Sequence, residues 1–98
     1  MELEKREKLI ELYDLYNNLL TDKQRSYFEN YYFDDLSISE IAINYNISRN
    51  GVYDQLKRVE NSLIDYEEKL KLAYKISKIE SLDDNKLSKD EILSIIKE

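Results

Sequence analysis

From Ser37 to Val59 the chain reads SISEIAINYNISRNGVYDQLKRV, and its apolar residues fall on two helical faces with a break between them. Ile38, Ile41 and Ala42 recur at spacings of three and four, the mark of one buried helical stripe. Ser37 and Glu40 form an S-x-x-E capping box that opens this first helix. Asn46 stands where the chain must turn left-handed, a conformation Asn tolerates better than most residues. Ser48 caps a second helix whose inner face carries Val52, Leu56 and Val59. Ala42 is small enough to let that helix approach, and Ile47 and Val52 fill the angle between the two. The spacing predicts a helix-turn-helix over 37–59. A plain corner of two amphipathic helices shares the pattern, but the outward residues Arg49, Asn50, Tyr53, Gln55, Lys57 and Arg58 are donors or stacking groups and favour a nucleic-acid reader.

The flanks read as helices too. Leu9, Tyr13, Tyr16 and Leu20 form the stripe of a first helix from Glu2 to Leu20, with Leu12, Leu15 and Leu19 widening it. Thr21 and Gln24 make a T-x-x-Q box opening a second helix to about Phe33, which buries Tyr27 or Phe28 with Tyr31 and Tyr32. Beyond Gly51 neither Pro nor Gly interrupts the chain, and Val52, Leu56, Val59, Leu63, Tyr66, Leu70 and Ala73 alternate spacings of four and three. That heptad seam predicts one long helix over about 49–78, roughly 45 Å at 1.5 Å per residue. A stripe so long needs cover, either from the first helix and the C-terminal segment or from a second copy of the chain, and self-association is expected through its distal half, around Tyr66, Leu70 and Tyr74. Ser88 and Glu91 open a short C-terminal helix over about 88–97. The expected fold is a single all-α domain over 1–98, a helix-turn-helix with four to six helices and a long helix after the turn.

Composition narrows the chemistry. The chain has no Pro, Cys or His and one Gly, with 37% charged residues. Without Cys or His there is no thiol chemistry, disulfide or ordinary zinc site, and no Gly-rich loop is present to hold a phosphate. Asp34-Asp35 alone offers too few ligands for Mg²⁺. No enzyme, cofactor or metal is expected. The amino terminus, MELEKREK, is too charged for a signal peptide, and no apolar run reaches membrane length, so a cytoplasmic protein is expected. The net charge of −6 argues against non-specific nucleic-acid binding. Between Ser48 and Arg58, however, Arg49, Lys57 and Arg58 outweigh Asp54, and Lys23 and Arg25 on the second helix are further candidates for phosphate contact. A locally basic helix on an acidic body should bind selectively and with marked salt dependence.

The segments LLTDKQR (19–25), YYFDDLSISEIA (31–42), NISRNGVYDQLKRVE (46–60) and DYEEKLKL (65–72) together resemble the YlxM family, small bacterial proteins encoded beside the signal recognition particle GTPase. The central part is also similar to region 4 of bacterial sigma factors. The resemblance implies an all-helical protein with a role in the signal recognition particle pathway, in contact with the particle's RNA or its GTPase. Carried over by position, it implicates Lys23, Arg25, Arg49, Tyr53, Lys57 and Arg58. Gly51 stands where Ala would be expected from the resemblance, and Phe33 where it tends to be polar. Three functions remain open on the sequence. One is an RNA-binding accessory using phosphates and a Tyr53 stack. Another is a DNA-binding regulator reading bases with Arg49, Asn50 and Gln55. The third is a protein-interaction module built on the acidic body.

Overall fold

The computed structural model describes residues 2–98, the side chain of Lys86 excepted. Its described residues form six α-helices and no strand: α1 (Leu3–Tyr16), α2 (Asp22–Tyr32), α3 (Ile38–Tyr45), α4 (Arg49–Leu70), α5 (Leu72–Glu80) and α6 (Lys89–Ile96). Short 3₁₀ turns lie at Asn17–Leu19 and Asp84–Lys86. The fold is all-α, and the helix-turn-helix consists of α3 and the start of α4.

Helix starts follow the side chains that can satisfy orphan N–H groups. Thr21 and Gln24 bond reciprocally at the start of α2, at 3.1 and 2.9 Å. Ser37 and Glu40 do the same for α3, at 3.1 and 3.0 Å. Ser48 accepts from Gly51 N at 2.9 Å to open α4, and Ser88 accepts from Glu91 N at 3.1 Å to open α6. α1 ends in the Asn17–Leu19 turn because the Asn17 side chain donates to the carbonyls of Tyr13 and Asp14.

Two apolar clusters share α4 as their common wall. The first joins Leu9, Leu12, Tyr13, Tyr16 and Leu20 to Phe28 and Tyr32 of α2, Val59 and Leu63 of α4, and Ala73 of α5. The second joins Tyr27, Ile41 and Ala42 to Val52 and Leu56. Both Tyr27 and Phe28 are buried, each in its own cluster, and Tyr31 packs against both. The α4 stripe is therefore covered from within the chain as far as Leu63. Leu19, expected to widen the α1 stripe, is instead exposed.

Three tyrosine–carboxylate hydrogen bonds pin the bundle: Tyr13 to Glu29, Tyr16 to Glu67 at 2.6 Å, and Tyr32 to Glu60 at 2.8 Å. Each leaves a phenol held above its ordinary value, first by burial and then by the adjoining carboxylate; for Tyr16 this reaches about 12. Among the described residues, Glu60 is the buried charged residue.

The expected continuous helix over 49–78 is corrected by the structure. α4 stops at Leu70, Lys71 turns left-handed at φ 57°, and α5 begins at Leu72. The cause joins the last turns of α4 to α1. The Glu67 carboxylate accepts from Ala73 N and Tyr74 N at 3.0 and 3.1 Å, and the Tyr16 hydroxyl accepts from Leu72 N at 3.0 Å. These are three of the four N–H groups that a new helix leaves without partners. α1 and α4 together cap α5 and redirect it, allowing Ala73 to enter the first cluster.

The resulting body is elongated, 54 × 22 × 17 Å, with a radius of gyration of 16.9 Å. A compact chain of this length would have about 13 Å. α6 packs on α5, burying Ile95 and tied by Lys78 to Glu98 (2.6 Å) and by Lys75 to the Ile96 carbonyl (2.8 Å). No described helix is long and apolar enough to cross a membrane.

Candidate nucleic-acid interface

The turn between α3 and α4 is closed by backbone. Asn46 adopts φ 55° and ψ 47°, its N–H bonding to the carbonyls of Ala42 and Ile43, and Ile47 N bonds back to Ala42 at 3.1 Å. Ala42, Ile41, Val52 and Leu56 fill the inner angle, so the outer side of α4 is fixed against a packed floor.

Arg49, Asn50 and Tyr53 line an open groove of about 550 Å³ together with Tyr31, Ser37, Ile38 and Ser39. The Arg49 guanidinium reaches Ser39 Oγ at 3.4 Å, which leans it across the groove toward α3. Tyr53 is half exposed, and Lys57 one turn further on lies 5.6 Å from its ring centroid. Lys57 also approaches Glu60 at 3.9 Å, a loose pair that leaves its ammonium partly exposed. Arg49 and Asn50 are exposed; Arg58 is exposed too, but five residues from Tyr53 it points about 140° away around the helix and stands off this strip. The strip thus offers hydrogen-bond donors, two cations and an accessible aromatic ring on one side of a helix.

The other residues expected at this site lie elsewhere. Arg25 is not a free cation: its guanidinium donates to the carbonyls of Asn17 and Leu20 at 3.1 and 2.9 Å and pairs with Asp22. It locks the α1–α2 turn. Lys23 is exposed, lies 6.0 Å from the Tyr27 ring centroid, and does not line the groove. Gln55 is half-buried, and being two residues from Tyr53 it points about 200° away around the helix. Tyr66, expected at a dimer contact, is turned inward: its ring packs against Tyr16 and its hydroxyl donates to the Leu19 carbonyl at 3.3 Å. Leu70 and Tyr74 remain exposed.

Tyr31, Ser37 and Ser39 belong to the groove and were not legible as site residues. Tyr31 reads as one more core aromatic of α2, and Ser37 as a cap. Only the packing of α2 and α3 against α4 brings them beside Arg49. Among the described residues no cluster of three carboxylates is placed to hold a metal ion.

A short capped helix joined through a left-handed Asn to the capped start of a longer one, with donors exposed along the second, defines a protein of the helix-turn-helix class. Within that class the chain belongs to the UPF0122 family, described as "Putative helix-turn-helix protein, YlxM / p13 like", whose match covers residues 3–97. It is 50% identical over 80 residues to UPF0122 proteins of Bacillus cereus, Bacillus anthracis and Bacillus thuringiensis, covering 82% of this chain and 73% of each relative.

Proposed function

We propose that this chain is a non-enzymatic nucleic-acid-binding accessory of the bacterial signal recognition particle pathway, and that it holds the particle's RNA through Arg49, Tyr53 and Lys57. The observation that carries this reading is the half-exposed Tyr53 ring with Lys57 over one side and the Arg49 groove on the other. An A-form major groove is too deep and narrow for a helix to read, so RNA is held by phosphates and by stacking of unpaired bases on aromatic faces. Cations flanking an accessible tyrosine suit both tasks. The acidic body supports selectivity, because it repels any phosphate backbone that does not meet the strip.

Arg49 and Asn50, exposed at the first turn of α4, also favour a second reading as a DNA-binding regulator, since the start of the second helix is where such proteins meet base edges. Asp54 on the same helix opposes it unless it accepts from a cytosine amino group. Filter binding with signal recognition particle RNA and with duplex DNA, at low and at physiological salt, separates the two. The RNA is expected to bind more tightly, with each of Arg49→Ala and Lys57→Ala lowering the salt slope by about one. A double variant that binds RNA as well as the parent would overturn the assignment of this strip.

A further inference from the structure

The end of the molecule away from Tyr53 carries a second feature. α1, the last turns of α4 and α5 enclose an apolar groove of about 620 Å³ with Leu12 in its floor, and Ile64 and Tyr74 on its walls. Ile64 is 40% exposed and Tyr74 50% exposed, although both stand on elements that pack into the core on their other side. α5 and α6 have nine and eight residues. Helices this short are marginal alone, below about 12–15 residues, so the pair depends on what covers it.

The rim indicates the occupant. Lys8 and Glu98 border the groove but are paired with Glu11 and Lys78, whereas Glu68 and Lys71, which also border it, are exposed and form no ion pair among the described residues. They lie three positions apart with opposite sign. A partner of uniform charge would satisfy one and oppose the other. A second copy related by a two-fold axis satisfies both, because a surface that meets itself pairs residue i with j and j with i. The Glu67 carboxylate beside them is already committed to Tyr16 and to α5, and so takes no part in such an exchange.

We propose that this groove is the interface of a homodimer, with Ile64 and Tyr74 at its apolar centre and Lys71 of each copy meeting Glu68 of the other. Ile64 is eleven residues along α4 from Tyr53, about 16 Å at 1.5 Å per residue, which leaves the Arg49–Lys57 strip open in both copies. The interface does not depend on what that strip binds.

Sedimentation equilibrium of the whole chain, from low to high micromolar concentration, tests it with a charge exchange. The parent is expected to dimerise. Glu68→Lys and Lys71→Glu, each turning two attractions into repulsions, are expected to raise Kd at least about ten-fold. The double variant Glu68→Lys/Lys71→Glu restores both pairs with signs reversed and is expected to return to within about three-fold of the parent. Thermal melting of all four proteins verifies that they are folded. A monomeric parent at high micromolar concentration overturns the proposal. So do single variants that dimerise normally, or a double variant no better than the singles.

Discussion

Glu67 is expected to be the residue that decides where α4 ends, and replacing it with Ala exposes how much that matters. Its carboxylate accepts from Ala73 N, Tyr74 N and the Tyr16 hydroxyl at 3.0, 3.1 and 2.6 Å. Hydrogen bonds to a charged group contribute about 1.5–3 kcal/mol each, and they do not add. The site is half-buried, so water replaces part of the loss, and the net cost is about 2–3 kcal/mol. Because α5 and α6 lie at one end of the body, that cost falls first on their local opening rather than on the whole fold. Amide exchange followed by NMR should then show Ala73 and Tyr74 exchanging roughly 30–150 times faster in Glu67→Ala, with the amides of α3 unchanged. Tyr16→Phe should act on the same amides and combine less than additively with Glu67→Ala. Acid should mimic the change. Burial raises the Glu67 pKa, but the hydrogen bonds from Tyr16, Ala73 and Tyr74 outweigh this and leave it below its usual value. Its stabilisation is thus present above the unfolded carboxyl pKa, about 4.3, and is lost as pH falls through the lower folded value. Unchanged exchange at Ala73 and Tyr74 would refute the reasoning. Stronger protection across Lys71 would refute it too, for it would mean the variant had relaxed into one continuous helix.

Ala42→Leu should destabilise the corner by about 1–3 kcal/mol, because Ala42 is buried against Tyr27, Ile41, Val52 and Leu56, and a melting temperature equal to the parent's would show that the site has room. Gly51→Ala should stabilise by somewhat less than the 1 kcal/mol of helix propensity, since the new Cβ meets Ser48 Oγ at 3.2 Å and Ile47 at 3.5 Å; chemical denaturation that shows a loss would mean the Ser48 cap cannot yield. Alkaline conditions should destabilise the bundle: Tyr13, Tyr16 and Tyr32 have folded values above the ordinary phenol pKa near 10, so their contribution is complete below pH 10 and fades as pH rises through the folded values. Tyrosinate absorbance is the check, and titration of all nine tyrosines near pH 10 in the folded protein would contradict the buried pairs.

The sequence by itself determined those features that short-range chemistry controls. Ser37 with Glu40, Thr21 with Gln24, Ser48 and Ser88 each satisfy N–H groups within three residues, so the starts of α2, α3, α4 and α6 are written locally. Asn46 carries its left-handed turn for the same reason. The stripe Val52, Leu56, Val59 and Leu63 fixed which side of α4 is buried, and with it the outward direction of Arg49, Tyr53 and Lys57. Only the tertiary structure decided the break at Lys71. No Gly or Pro marks it, and the Glu67 carboxylate that caps Ala73 and Tyr74 is held by Tyr16, whose hydroxyl also meets Leu72 N across 56 positions of sequence. The same holds for Arg25, whose charge is used on the Asn17 and Leu20 carbonyls once the α1–α2 turn has closed. It holds for the groove in which Tyr31 and Ser39 stand beside Arg49. Periodicity reports which face of a helix is apolar, but not which distant group will accept or donate a hydrogen bond at its end, because that depends on helices meeting in space.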